Sequence, residues 1–263
     1  MPLTSSECVK VTSEDRVVVV TIDHRPVNAL NRQTVRELGD IIEQIRMEAA
    51  VKVVILTGAG SLAFVAGADI KEVSQLGSPS DARDLSVLGH TVFSKLQQLR
   101  KPVIAAINGV CLGGGLELAM SCHLRISGDR VRFGQPEVNI GIIPGWGGTQ
   151  RLPRLIGKAK ALEWILTGDM YTAQEAYRLG LINQVVPQDQ VLKTAKDLAR
   201  KIAAKGGISI AQALWAVEEG LDLPLERGLE KEAEAFHRVS ETEDSREGVN
   251  AFMEKRQPKF HDR

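Results

Sequence analysis

The chain has no charge bias, little sulfur and no long apolar run, and each shortage removes a class of function. Its 33 basic and 33 acidic residues cancel, and the basic ones are scattered rather than blocked. A nucleic-acid surface would need a strongly basic face, so no nucleic-acid partner is expected. The three cysteines, Cys8, Cys111 and Cys122, are an odd number at no metal-ligand spacing. Two of them lie in apolar surroundings, which reads as reduced thiols in a cytoplasmic protein. His24, His90, His123, His237 and His261 show no His-Glu-x-x-His spacing, so no metal is expected. No apolar run reaches the roughly 18 residues of a membrane span. The longest, residues 103–112, is interrupted by Asn108 and Gly109. The first ten residues lack the basic and apolar regions of a signal peptide, so no membrane partner is expected either. There is no Gly-x-Ser-x-Gly elbow for a serine nucleophile, and no Gly-x-Gly-x-x-Gly or P-loop pattern for a nucleotide.

What is present is an ordinary soluble composition, 43% hydrophobic and 25% charged over 263 residues. That length suits one large domain, or a large domain with a small one. β-branched runs at 9–12 and 16–22 read as a hairpin. Asn31 caps a helix whose Val35, Leu38, Ile41, Ile42 and Ile45 share a face. Continuous apolar runs at 51–57 and 103–107, and a third run at 123–127, read as strands. Helical segments around 82–99 and 113–121 lie between them. Strands alternating with helices predict an α/β architecture, and the recurring order is strand, Gly-rich loop, helix. Residues 78–81 (Ser-Pro-Ser-Asp) read as a mobile loop. Thr172-Ala-Gln-Glu175 is a capping box, with Gly180 as the C-cap of its helix. From about Gln188 strands vanish and charge rises. Helices at 189–204, 208–219, 225–239 and 243–255 predict a helical tail that packs on a partner subunit. The domain boundary is drawn between 195 and 196.

Two glutamates stand twenty residues apart, each among glycines. Glu117 follows Leu112-Gly-Gly-Gly-Leu116, and Glu137 follows Phe133-Gly-Gln-Pro136. Carboxylates beside exposed backbone N–H groups suit acid/base work on a carbonyl compound, where the acids move protons and the amides hold a developing oxyanion. Each feature also has a plainer reading. The glycines would let a helix pack tightly on a sheet, Glu117 would be a first-turn acid facing the helix dipole, and Glu137 would be a solvated loop acid. Cys111 reads as a core thiol, since nothing local lowers its pKa. Trp146 reads as a pocket wall or core ring.

The combination of motifs is more specific than any one of them. Residues 64–72 (Phe-Val-Ala-Gly-Ala-Asp-Ile-Lys-Glu), 101–109 (Lys-Pro-Val-Ile-Ala-Ala-Ile-Asn-Gly), the 113–119 block, Phe133-Gly-Gln-Pro-Glu137 and 144–152 (Pro-Gly-Trp-Gly-Gly-Thr-Gln-Arg-Leu) together resemble the crotonase superfamily, and within it the enoyl-CoA hydratases. Asn28-Ala-Leu30 and Phe252-x-Glu-Lys255-Arg256 extend the likeness over nearly the whole chain. The resemblance implies an α/β spiral of β-β-α units followed by a C-terminal helical trimerisation region (residues 196–263), assembling as a homotrimer or a homohexamer. It implies an acyl-CoA substrate and no cofactor, CoA being part of the substrate. Glu117 and Glu137 match the two catalytic acids, and Ala66 and Gly114 the oxyanion-hole donors. Substrate contacts are implied for Ala66, Gly67, Ala68, Asp69, Ile70, Gly114, Gly145 and Trp146, and for Phe252 and Lys255, in some members from a neighbouring subunit. Retention of both acids points to hydration, with Glu117 activating water for attack at C3 and Glu137 giving a proton to C2. An isomerase or another acyl-CoA lyase of the superfamily is the alternative. A non-catalytic RNA-binding member of the fold is disfavoured by the neutral charge and the intact acids. Trp146 puts a bulky ring close to Glu137, where it would reshape the acyl pocket.

Overall fold

A computed structural model describes residues 3–263; Met1 and Pro2, the first positions of the amino-terminal stretch read above, lie outside the described residues. β1 (Val9–Glu14) and β2 (Val17–Ile22) form the hairpin. It is longer than expected because the turn is only Asp15-Arg16, both at positive φ (48° and 65°), as a two-residue type I′ turn requires. α1 (Arg32–Met47) starts at Asn31, whose side chain accepts from the Thr34 N–H, and buries Val35, Leu38, Ile41, Ile42 and Ile45.

Three β-β-α turns follow. The first is β3 (Val53–Gly58), β4 (Ala63–Val65), α2 (Ile70–Ser74) and α3 (Pro79–Gln97). The second is β5 (Val103–Ile107), β6 (Val110–Leu112) and α4 (Gly114–Met120). The third is β7 (Leu124–Gly128), β8 (Arg132–Gly134), a 3-10 turn (Pro136–Ile140) and α5 (Gly148–Ile156). The first strand of each turn adds to a six-stranded sheet ordered β1-β2-β3-β5-β7, and the second adds to a four-stranded sheet ordered β4-β6-β8. Within these series every pair from β2 onward is parallel, so the chain winds as a spiral with one turn stacked on the last. The structure repeats although the sequence shows no fixed period. Then come α6 (Lys158–Thr167), β9 (Tyr171–Thr172), α7 (Ala173–Arg178) and β10 (Gln184–Val186). β9 closes the small sheet beside β8 and β10 closes the large one beside β7. The Thr172 cap forms as expected, accepting from the Glu175 N–H.

Parallel strands covered on both faces read as unbroken apolar runs, and that is why β3 and β5 were legible. One face of the large sheet packs Val19, Val53, Ile55, Ile104 and Ile126 against Val191, Ala195 and Ala199 of α8 (Val191–Ala203). The other face meets α1, α3, α4 and the small sheet in the main core. α8 is therefore part of the core, and the boundary drawn at 195/196 falls inside it; the chain leaves the sheet only at Gly206. Beyond lie α9 (Gly207–Gly220), α10 (Leu225–Ser240) and α11 (Glu243–Met253). α9 and α10 pair as a hairpin that closes where Gly220 meets Gly228. The last residues fold back, and Asp262 accepts from Lys52 Nζ at 2.7 Å, Arg16 at 2.5 Å and the Gly207 N–H at 2.7 Å.

Residues 78–81 are not the mobile loop expected. Ser78 Oγ accepts from the Asp81 N–H and Pro79 occupies the first helical position, so the segment is the start of α3; a Ser-Pro pair is a helix entry as readily as a turn.

The glycine run at α4 includes a pure packing site. A Cβ on Gly115 would overlap the Val65 carbonyl oxygen of β4, which is backbone and cannot step aside. Gly115→Ala is expected to destabilise the fold by about 3 kcal/mol, the upper end for overpacking a tight core. Urea denaturation measures it, and a loss under about 1 kcal/mol would show that α4 can shift off β4.

Candidate active site

The second and third turns of the spiral bring both glutamates to one place. Glu117 lies in the first turn of α4, whose seven residues are all buried; only 1% of it is exposed. An ionised carboxylate there needs donors. Its Oε1 accepts the backbone N–H groups of Trp146 at 2.7 Å and Gly148 at 2.6 Å. Gly148 has no room for a side chain, since a Cβ would come within 3.0 Å of Glu117 Oε1 and 2.8 Å of Pro144. Oε2 has no hydrogen-bond partner among the described residues.

The loop carrying these donors is fixed at several of its polar groups. Ser86 Oγ of α3 donates to Gly145 O at 2.5 Å. The Trp146 indole N–H donates to Leu85 O at 3.0 Å, and Arg151 Nη1 donates to Trp146 O at 3.0 Å. Gly147 takes a φ of +112° and lies under the Arg151 guanidinium, so a side chain fails there on both counts.

Glu137 sits in the 3-10 turn, half-buried rather than in a solvated loop. Gln135, fully buried, presents its amide N–H₂ to both Glu137 oxygens at 3.0 and 3.1 Å; this amide orientation follows from the network, because a carboxylate accepts only donors. Gly113, at a φ of +51°, passes close beneath, and a Cβ there would lie 2.9 Å from Glu137 Oε1. Burial raises both acids to about 7. For Glu117 the negative charge of Glu137 raises it further, while the Gly148 and Trp146 amides and Arg151 pull it back. Two carboxyls poised at neutral pH in one pocket can hold one proton between them.

Gly114 and Gly115 differ in what surrounds them. A Cβ on Gly114 would meet no backbone closer than the Ala68 nitrogen, at 3.4 Å, but would come within 2.5 Å of Trp146 Cζ3. The Gly114 N–H begins the helix and has no intrahelical acceptor. Ala66, expected as its partner donor, is not available. The Ala66 N–H already donates to Val27 O at 3.1 Å. The 27–30 segment also takes the next polar groups, Leu30 N–H donating to Gly67 O and Asp69 N–H to Leu30 O, both at 2.9 Å. Gly67, at a φ of +125°, turns the chain between them. The Ala68 N–H is left without an acceptor among the described residues, beside Gly114. Counting from the motif alone missed the position by two residues, because the pairing of this segment with 27–30 decides which amides stay free.

The other expected substrate contacts scatter. Asp69 caps α2, accepting from the Lys71 N–H at 2.9 Å, and Ile70 is exposed at its start. Trp146 is 4% exposed. Its ring lies between Gly89 of α3 and Gly114 of α4, edge-on to Phe93 at 5.7 Å between centroids. Phe252 is 82% exposed on α11, and neither it nor Lys255 is hydrogen-bonded or ion-paired to a site residue among the described residues. Cys111 and Cys122 are buried thiols raised by desolvation, which fits the core reading. Gln135 and Arg151 were not anticipated. The signal for Gln135 was available: a polar residue between Gly134 and Pro136 in a segment otherwise buried.

The whole chain has known counterparts. The family model described as Enoyl-CoA hydratase/isomerase matches residues 12–263. A short-chain-enoyl-CoA hydratase of Clostridium acetobutylicum is 45% identical over 92% of this chain and 93% of its own. A crotonyl-CoA hydratase of Syntrophomonas wolfei is 42% identical, covering 97% of this chain and 98% of its own. The crystal structure of an enoyl-CoA hydratase from Bacillus anthracis superposes with a TM-score of 0.94 at 41% identity, over 98% of this chain and all of that one. With a match of this length and relatives of this identity, the chain belongs to the enoyl-CoA hydratase/isomerase family, in the crotonase superfamily.

Proposed function

We propose that the chain hydrates a 2-trans-enoyl-CoA to the 3-hydroxyacyl-CoA, using Glu117 and Glu137 as base and acid. One observation carries this reading: a buried and a half-buried carboxyl feel each other's charge, both are raised to about 7, and only Glu117 has backbone donors and a guanidinium to favour its anion. Glu117 has two backbone donors on one oxygen and a guanidinium nearby, which suits the anion. Glu137 has only the neutral Gln135 amide set against its desolvation, so of the two it keeps the shared proton more readily. The thioester oxygen is received by the N–H groups of Gly114 and Ala68. Their pull draws electron density from C3, so the double bond becomes electrophilic there. Glu117 Oε2 takes a proton from water as its oxygen bonds to C3. Negative charge moves to the thioester oxygen, where the two amides stabilise it, and collapses onto C2 as Glu137 delivers its proton. A single oxyanion donor of this kind is worth about 2.7–4 kcal/mol of barrier. No metal or prosthetic group enters these steps, and CoA is bound as part of the substrate.

Short acyl chains fit best. The Trp146 indole is in contact with Gly114 and pinned by its N–H to Leu85 O, so an acyl chain running on from the thioester meets its face or edge early. Two of the relatives carry short-chain and crotonyl substrates in their names, which agrees. The helical tail is read as the assembly surface of a homotrimer or homohexamer, because α9 to α11 leave Leu221, Leu225, Phe236, Val249, Phe252 and Met253 exposed, more apolar side chains than a monomer ordinarily shows to water. The buried free cysteines fit a cytoplasmic setting, and no described helix is long and apolar enough to cross a membrane.

Loss of the ultraviolet absorbance of a conjugated enoyl thioester, with 3-hydroxyacyl-CoA as product, tests the reaction. Conversion of a 3-enoyl-CoA to the 2-enoyl isomer without hydration would favour the isomerase reading. Glu117→Gln and Glu137→Gln are each expected to lower kcat by about 10²–10⁴-fold. The pH profile of kcat/KM is expected to be bell-shaped around neutrality: it falls with pH below about 7 as Glu117 protonates, and falls above about 7 as Glu137 ionises. The two limbs belong to the pair.

Stability carries the same signature. A carboxyl held at about 7 against an ordinary 4.5 favours the folded chain fully only below its unfolded value, and that contribution is lost as pH rises towards 7, up to about 3 kcal/mol. Glu117→Gln is therefore expected to melt higher than the native chain at pH 8, with the gap closing by pH 5. A variant less stable at both pH values would mean that the carboxylate is a net structural asset.

Trp146→Leu keeps the backbone N–H that holds Glu117 and shortens the plug. The ratio of kcat/KM for an eight-carbon over a four-carbon enoyl-CoA is expected to rise at least about tenfold. An unchanged ratio would remove Trp146 from the acyl pocket.

Truncation after Gly206 is expected to give an aggregating or inactive protein. A fully active monomer of the intact chain in sedimentation at micromolar concentration would overturn the assembly reading.

A further inference from the structure

A line of four hydrogen bonds runs from the helical tail to Glu117. Glu218 of α9 accepts from Gln97 Nε2 at 2.9 Å. Gln97, the last residue of α3, accepts on Oε1 from Arg151 Nε at 3.0 Å. Arg151 of α5 donates through Nη1 to Trp146 O at 3.0 Å, and the Trp146 N–H donates to Glu117 Oε1 at 2.7 Å. The carbonyl that Arg151 grips stands between the two N–H donors that hold Glu117, at residues 146 and 148. It belongs to the peptide unit that links the two units carrying those N–H groups, so the Arg151 grip holds the stretch of loop between them. The Arg151 fork cannot rotate away without vacating either Gln97 or the loop, because one nitrogen serves each. Gln97 is held as well: its own carbonyl lies 3.0 Å from His123 Nε2, while His123 Nδ1 accepts from the Val103 N–H. Those contacts leave Nε2 as the protonated nitrogen of a neutral ring.

We propose that Gln97 and Arg151 are positioning residues for Glu117, and that Glu218 makes their hold on it depend on α9 being docked. The helical tail then acts on the chemistry through this line, independently of any residue it lends to a substrate site. The inference rests on Glu117 being the base. The charged and titratable groups facing the line are few. Glu117 is faced by Glu137 and Arg151. Arg151 is faced by Glu117, Glu218 and the Cys122 thiol. His123 is kept neutral by burial, with Glu218 and Arg125 nearby.

The test uses Arg151→Met, Gln97→Leu, Glu218→Gln and the Gln97→Leu/Glu218→Gln pair in the full-length chain, with kcat, KM, the pH profile and the melting temperature all read on a short enoyl-CoA. Arg151→Met is expected to lower kcat about ten- to hundredfold with KM within about twofold. It should also move the acid limb to higher pH, because the cation that favours ionised Glu117 is gone. Gln97→Leu should lower kcat less, and Glu218→Gln should have no further effect in the Gln97→Leu background. A merely structural role would lower the melting temperature and leave the acid limb in place, and that result overturns the proposal. So does a Glu218→Gln effect that is undiminished without Gln97. If Arg151→Met does not fold, the Gln97 and Glu218 variants decide by the same two criteria. Glu117→Gln is run alongside. If it stays active, the base assignment itself falls; if it is inactive while the Gln97, Glu218 and Arg151 variants behave as the native enzyme, only the positioning line is lost.

Discussion

Everything at this site depends on where one buried carboxyl gets its hydrogen bonds. Glu117 lies in a helix with no solvated face, and among the described residues the groups that hydrogen-bond its Oε1 are two amides contributed by a different turn of the spiral. Leaving such a group unpaired would cost several kcal/mol. Much of the local architecture serves to keep the two amides in place: the Ser86 and Leu85 contacts from α3, the Arg151 grip on the carbonyl between them, and three successive positions, Trp146, Gly147 and Gly148, of which two tolerate no side chain.

The spiral is what makes this arrangement possible with so little chain. Parallel stacking of β4, β6 and β8 sets the loops after those strands side by side. Ala68 follows the first, Gly114 the second and Glu137 the third. Each loop contributes one kind of group, and the three converge although no two of them belong to the same turn. The adjacent segment at 27–30 has a quieter role. By taking the Ala66 and Asp69 amides for itself, it selects which N–H of that loop remains unpaired.

The sequence disclosed the parts that a single element can reveal. The apolar runs of β3 and β5, the Asn31 and Thr172 caps, and the Glu117 and Glu137 pair among glycines were all local patterns. What it could not disclose was set by partners distant in the chain. Ala68 rather than Ala66 has the free amide because of Val27 and Leu30. Residues 78–81 are a different case, a local one: Ser78 and Pro79 close the start of α3, and a Ser-Pro pair alone does not tell a helix entry from a turn. α8 belongs to the core because Ala195 and Ala199 meet β3 and β5, which composition cannot tell from a tail helix. Gln135 and Arg151 act only through the neighbours that folding gives them.

The separation between Glu117 and its donors has a consequence for how the chain acquires its shape. Those donors come 29 and 31 residues later. A polypeptide emerging in order holds α4 complete while nothing exists to receive the acid. The helix can then settle against the sheet only with its carboxyl protonated, or wait with that edge still wet. Satisfying the acid of the second turn thus requires the third, and the pocket is a joint product of two segments. Parallel pairings between distant stretches already make such topologies slow to form, and here a buried acid and its donors add one more such pairing.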